Sequence, residues 1–237
     1  MSERSQRARG RLTGVGVGPG DPGLITRRAL EVLEGADRVV APVSEGAGPG
    51  RAETVVRTVL PDLHVTRLAF EMTREGSHVG AARALLPWLD AGEHVAFATL
   101  GDPHLYSTFP ALATAVRTLG GDVDVDTVAG VTAFCALASV SGTVLLDGSE
   151  SLSLVTALDG PEHVETALGE PGRAVVVYKG GRYVPEIAAL LAARGRLEGA
   201  VLGERLGLPD EHVGPLSQAS GPASYLATVI VPPAGRR

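Results

Sequence analysis

Apolar runs of strand length alternate with helix-period segments from one end of this chain to the other. That alternation predicts an α/β architecture built on largely parallel strands, because a parallel strand pair needs a crossover long enough to hold a helix. In the first half, "RLTGVGV" (11–17) reads as a strand and "TRRALEVLEGA" (26–36) as a helix. Thr26 is its N-cap, Ile25 and Leu30 stand at hydrophobic-staple spacing, and Gly35 lies near its end. "DRVVAP" (37–42), "HVTRLAF" (64–70), "HVAFATL" (94–100) and "VDVDTV" (123–128) continue the strand series. "AETVVRTVL" (52–60), "HVGAARALLPWLDAG" (78–92, perturbed at Pro87), "ALATAVRTLG" (111–120) and "VTAFCALASV" (131–140) supply the intervening helices.

A turn-rich stretch, "SGTVLLDGSE" (141–150), precedes a second series: "SLSLVTAL", "RAVVVYKG", the helix "YVPEIAALLAARG", "GAVLGER" and "YLATVIV". The expected organisation is a flexible tail over 1–10, an N-terminal α/β domain over 11–147 and a C-terminal α/β domain over 148–237. Pro232 and Pro233, which lack backbone donors, place the last strand at a sheet edge.

Composition narrows the function classes. A chain of 237 residues with 44% hydrophobic content has core enough for two modest α/β domains or one large one without covalent staples. Its single cysteine, Cys135, excludes an intramolecular disulfide and an all-cysteine metal cluster, which fits a cytoplasmic protein. A net charge of −6 argues against nucleic acid, and no apolar segment is long enough to span a bilayer. His78, His94 and His104 show no paired metal-ligand spacing, so no protein-bound metal is expected.

Three loops carry candidate chemistry. "GVGVGPGDPG" (14–23) contains a formal G-x-G-x-x-G after a strand and before a helix, the pattern of a dinucleotide cradle. Its chemistry opposes that reading: Pro19 and Pro22 remove amide donors, and Asp21 sets a carboxylate where a pyrophosphate would lie. A stiff turn that lines an apolar or cationic ligand is the better account. "TLGDPHLYSTF" (99–109) follows the strand 94–100, at the sheet edge where α/β proteins bind ligands. Gly101 permits close backbone approach, Asp102 is placed to accept from a ribose hydroxyl or an ammonium, and Ser107 or Thr108 opens the next helix. An ordinary Asp-Pro turn explains Asp102 equally well. "VAGVTAF" (128–134) follows the strand 123–128 in the same way, with Gly130 and Thr132 before a helix, a seat for a carboxylate.

Taken together, "GVGVGPGDPGLITRRALEVLEGADRVV", "LGDPHLYSTF", "VAGVTAFCALAS", "VVVYKGGR" and "ERLGLPDEHV" resemble the tetrapyrrole methylase family over essentially the whole chain. "GDPHLYSTF" and the phenylalanine of "GVTAF" look most like the branch that methylates C-20 of precorrin-2, with the metal-free or the cobalt-loaded substrate left open. The resemblance implies two α/β domains with S-adenosylmethionine in the cleft between them, a tetrapyrrole substrate and a homodimer. Carried over by position, it implies cofactor contacts at Pro19, Leu100, Gly101, Asp102, Leu105, Thr132, Ala133, Lys179, Leu206 and Thr228. Lys179 departs from the family, where many relatives have methionine after an aromatic residue. Asp102 and Tyr106 are the candidates for assisting proton loss from the methylated carbon, and His104 lines the same loop. Arg27, Arg28, Arg74, Arg182 and Arg205 are candidates for substrate carboxylates. Two further readings stay open: a methylase of this fold acting elsewhere, on another ring position or on a protein as diphthine synthase does, and a metabolite-binding module without turnover.

Overall fold

The computed structural model describes residues 9–44, 48–70, 77–169 and 172–235, which form two compact units, Met1–Thr132 and Ala133–Arg237. The first unit is a parallel sheet with helices on both faces. Its strands are β1 (Gly10–Gly16), β2 (Arg38–Ser44), β3 (Val65–Phe70), β4 (His94–Thr99) and β5 (Val123–Val128), in the order β3-β2-β4-β1-β5. The helices are α1 (Arg27–Gly35), α2 (Arg51–Val59), α3 (Ser77–Asp90) and α4 (Phe109–Thr118). β1 and β4 are buried along nearly their whole length, as central strands covered on both faces must be.

Side-chain alternation divides two cores across this sheet. Leu12 and Phe97 face Leu85, Leu89, Phe109 and Leu112 of α3 and α4, whereas Val15, Ala96 and Ala98 face Leu33, Val55 and Val56 of α1 and α2. The first helix begins as its sequence requires, with Thr26 Oγ1 accepting from Ala29 N at 3.1 Å. α3 runs through Pro87 as one helix. Glu53 on α2 is buried and accepts from Arg57 (2.8 Å) and from Arg67 of β3 (2.7 Å), joining helix to edge strand. Those guanidinium hydrogen bonds, Arg67's first, hold its carboxyl below the usual glutamate range against the opposing effect of burial.

The second unit contains α5 (Ala133–Ser141), β6 (Ser151–Thr156), α6 (Glu162–Leu168), β7 (Arg173–Tyr178), α7 (Val184–Ala193), β8 (Val201–Glu204), β9 (His212–Pro215) and β10 (Thr228–Val231). Its sheet has the order β6-β7-β10-β8-β9, and only β6 and β7 are parallel. The expectation of parallel strands therefore holds for the first sheet and fails for the second. β8 and β9 are consecutive neighbours with no helix between them, so they pair antiparallel. The last strand is central, between β7 and β8, not at an edge. Pro232 and Pro233 lie beyond Val231, where their missing donors cost the ladder nothing.

The division between units falls at Thr132, earlier than the turn-rich stretch near Asp147. α5 belongs with the second unit because Leu137 packs against Val176, Leu206 and Ile230, and Phe134 N donates to Tyr178 Oη at 3.0 Å. Two short elements, α6 and β9, escape the sequence reading. α6 is seven residues and carries only Val164, Ala167 and Leu168 toward the core, too few for a clear period.

Candidate functional site

Three loops of the first unit leave the carboxyl ends of β4, β1 and β5, strands that lie side by side. Val17 N donates to Thr99 O at 3.0 Å and Gly101 N to Gly18 O at 2.7 Å, so β1 and β4 stay joined beyond their regular ladder. Glycine makes this possible. A Cβ on Gly130 would lie 2.0 Å from Gly101 O and 2.8 Å from Gly16 Cα, so three loop backbones touch directly. Gly101 has φ +70° with no atom within 4 Å of the place a Cβ would occupy, leaving its backbone approachable.

Asp102 locks the arrangement. One carboxylate oxygen accepts from His104 N at 2.8 Å and the other from Gly130 N at 3.1 Å, tying the β4 loop to the β5 loop. His104 adds a second tie through Nε2 to Thr127 Oγ1 at 3.2 Å. Thr108 is the N-cap of α4 without a side-chain bond, and Ser107, one residue earlier, accepts from Phe109 N at 3.1 Å and shares a hydrogen bond with Thr99 Oγ1 at 2.9 Å. Asp21 Oδ1 accepts from Gly23 N at 2.8 Å and caps the short turn that follows. It is a turn residue with its carboxylate retained, in keeping with a loop unsuited to phosphate.

The other predicted residues fall into distinct settings. Pro19 is buried, Leu100 and Leu105 are half-buried, and Tyr106 is 44% exposed at φ +52°. Thr132 Oγ1 is buried and has no hydrogen-bond partner among the described residues. An orphaned buried hydroxyl is expensive, which keeps Thr132, beside the glycine-built crossing, a candidate for contact with a ligand's polar group. In the second unit, Ala133 opens α5, while Leu206 and Thr228 are buried at 4% and 1%. Their side chains belong to the core and the β10 ladder, so only their backbones are candidates for contact. Lys179 stands at the end of β7 with φ +56°, half-buried, and burial lowers its amine's pKa.

The proposed carboxylate-binding arginines are mostly engaged locally. Arg27 and Arg28 pair with Glu31, Arg205 pairs with Asp210 at 3.0 Å, and Arg182 donates to Leu158 O while stacking on Tyr183. Arg74 lies outside the described residues. Sequence reasoning missed Gly16, whose contacts across three loops are visible only in space, and Ser224. Ser224 Oγ is also buried without a partner among the described residues, and its amide donates to Glu204 Oε1 at 2.8 Å. Among the described residues, no three His, Cys, Asp or Glu side chains converge as metal ligands do, and no helix is long and apolar enough to cross a membrane.

A parallel sheet whose neighbouring strands end in glycine-built, ligand-open loops defines an α/β protein of the kind that binds a small molecule at the carboxyl edge. Residues 11–219 match the family of tetrapyrrole (corrin/porphyrin) methylases, and the chain belongs to that family. It is 34% identical to a precorrin-2 C(20)-methyltransferase from Sinorhizobium sp, over 94% of this chain and 95% of that protein. It is 32% identical to a cobalt-precorrin-2 C(20)-methyltransferase from Salmonella typhimurium, over 94% and 96% respectively. Its fold is similar to that of a uroporphyrin-III C-methyltransferase from Thermus thermophilus solved with S-adenosylhomocysteine, with a TM-score of 0.67 and 24% identity over 94% of this chain and 97% of that one.

Proposed function

We propose that this chain is an S-adenosylmethionine-dependent methyltransferase that methylates C-20 of precorrin-2, metal-free or cobalt-loaded, in cobalamin biosynthesis. The observation that carries the reading is its near-full-length match to two C-20 methyltransferases. The residues of the first unit fit the cofactor. A buried hydroxyl at Thr132 waits for a polar partner, and Gly101 leaves its backbone open. The half-buried Leu100 and Leu105 supply apolar surface suited to a group that carries no phosphate, and the buried Pro19 stiffens the β1 loop beside them.

The cofactor supplies a methyl group on a sulfonium, an electrophile already activated, so the protein needs no nucleophile of its own. Its work is to orient the partners and exclude water. Asp102, with both oxygens held by amides, acts as the positioning residue that fixes the loop geometry. Loss of the C-20 proton after methyl transfer is then assisted by Tyr106, which projects from the same loop at 44% exposure. A homodimeric, cytoplasmic enzyme is part of this proposal, and light scattering on the purified protein tests the dimer.

The decisive experiment is incubation with labelled S-adenosylmethionine and either precorrin-2 or cobalt-precorrin-2, followed by mass analysis. One added methyl group on one of them is expected. No methylated tetrapyrrole from either, with S-adenosylhomocysteine binding intact, overturns the reading.

A further inference from the structure

At one edge of the second sheet, three segments distant in sequence come together. Thr228, at the start of β10, pairs with Tyr178 at the end of β7 and with Gly203 near the end of β8. The candidates for cofactor contact in this unit, Lys179, Leu206 and Thr228, are thereby brought to a single edge, since Lys179 follows Tyr178 and Leu206 follows the end of β8.

A turn covers the same edge. Residues 221–227 lead into β10 and close on themselves through Ala227 N, which donates to Ser224 O at 2.9 Å. The turn lies directly on the bend that follows Lys179. Ala223 N donates to Gly181 O at 2.8 Å, and a Cβ on Gly181 would lie 1.9 Å from Ser224 O and 2.6 Å from Ala223 O. Only glycine admits another backbone so close.

Glu204, the last residue of β8, joins this turn to the third segment. Its Oε1 accepts from Ser224 N at 2.8 Å, across 20 residues of sequence. Its own backbone is in register with His212 of β9, so the half-buried carboxylate reaches out from a paired strand. A carboxylate accepting from an amide makes one of the stronger kinds of hydrogen bond, and losing it leaves the Ser224 amide to find water.

Resting on the proposed function, we infer that Glu204 is a positioning residue: by holding the 221–227 turn across the ends of β7 and β8, it sets the backbone at Lys179 and Leu206 for the cofactor. Its effect is on cofactor affinity, without part in methyl transfer. The role depends on the reach of the side chain and not on its charge.

Three variants separate reach from charge. Glu204→Ala removes the acceptor, Glu204→Gln keeps an acceptor oxygen at the same reach without the charge, and Glu204→Asp keeps the charge one methylene short of the amide. Each full-length variant is compared with wild type in S-adenosylhomocysteine calorimetry, in steady-state methylation and in hydrogen exchange of the peptide spanning 221–227. Glu204→Ala and Glu204→Asp are expected to weaken S-adenosylhomocysteine binding and raise the S-adenosylmethionine KM about fivefold, with kcat within about threefold. Exchange over 221–227 should quicken by about the same factor in both. Glu204→Gln should stay within about twofold of wild type in every measurement. Unchanged S-adenosylhomocysteine affinity in Glu204→Ala and Glu204→Asp overturns the inference even where Tm falls, because the bond is then structural only. Equal losses in Glu204→Gln and Glu204→Ala overturn it too, since the charge then acts in place of reach. Weaker binding with unchanged exchange does the same, because the carboxylate then meets the cofactor directly. Should Glu204→Ala fail to fold, Glu204→Asp and Glu204→Gln decide by the same comparison. A wild type that binds no S-adenosylhomocysteine is a different failure: it removes the proposed cofactor and this inference together, whereas equal binding by wild type and variants removes this inference alone.

Discussion

Replacing Gly130 by alanine tests whether the loop crossing is as tight as it looks. The new methyl would sit 2.0 Å from Gly101 O, 2.8 Å from Gly16 Cα and 2.9 Å from Gly16 C. That is roughly 1.4 Å short of ordinary contact with atoms that belong to backbone, so no side-chain rotation relieves it. Overpacking of this kind costs about 1–3 kcal/mol. Forcing the β5 loop away from the β4 loop also breaks the bond from Gly130 N to the Asp102 carboxylate, worth about 1.5–3 kcal/mol for a charged acceptor. The combined loss, about 3–5 kcal/mol, is a large part of a typical domain's stability and lowers Tm by about 10 °C. Thermal unfolding followed by circular dichroism measures it, with S-adenosylhomocysteine calorimetry alongside. Gly35→Ala is the control, since no atom lies within 4 Å of its added methyl, and its Tm should stay level or rise slightly. If Gly130→Ala melts with the wild type and binds S-adenosylhomocysteine equally well, the three-backbone crossing does not hold the site.

Three further outcomes follow from the same structure. Thr132→Val deletes a hydroxyl without a protein partner among the described residues, so Tm should hold or rise while S-adenosylhomocysteine affinity drops about tenfold in calorimetry. Glu53→Ala leaves Arg57 and Arg67 without their shared acceptor, and because both guanidiniums are nearly half exposed and regain water, urea unfolding should show a loss of about 1–2 kcal/mol. His94, whose Nε2 lies 2.9 Å from Thr13 Oγ1, has its pKa lowered first by burial and then by Arg11, against the opposing charges of Asp126 and Asp37. Its neutral form is favoured by folding, so its contribution is fully present above the unfolded histidine pKa of about 6.5 and is lost as pH falls through the lower folded value. His94→Gln should therefore flatten the decline of Tm below pH 6.5, and an unchanged slope refutes this assignment.

Much of the first unit was legible because each strand and helix there carries its own period. β4 is a nearly unbroken apolar run, β1 combines glycines with the core residues Leu12 and Val15, and Thr26 announces α1 by a local hydrogen bond. The second unit was harder to read. β9 has four residues and α6 has seven, lengths at which period and noise are alike, and the antiparallel return of β10 between β7 and β8 leaves no trace in the strand itself.

The sequence by itself determined the α/β class, the three loops and the unsuitability of "GVGVGPGDPG" for phosphate, since prolines and a carboxylate act locally wherever they are folded. Only the tertiary structure decided that Asp102 is held by two amides, one of them 28 residues away, and that Gly16, Gly101 and Gly130 meet backbone to backbone. It also decided that Leu206 and Thr228 turn their side chains into the core, and that α5 joins the second unit. These are matters of which distant segments become neighbours. A local pattern of residue types fixes what each segment can form, whereas the choice among partners is made by burial and by amides and carboxylates that find one another only after the strands have paired.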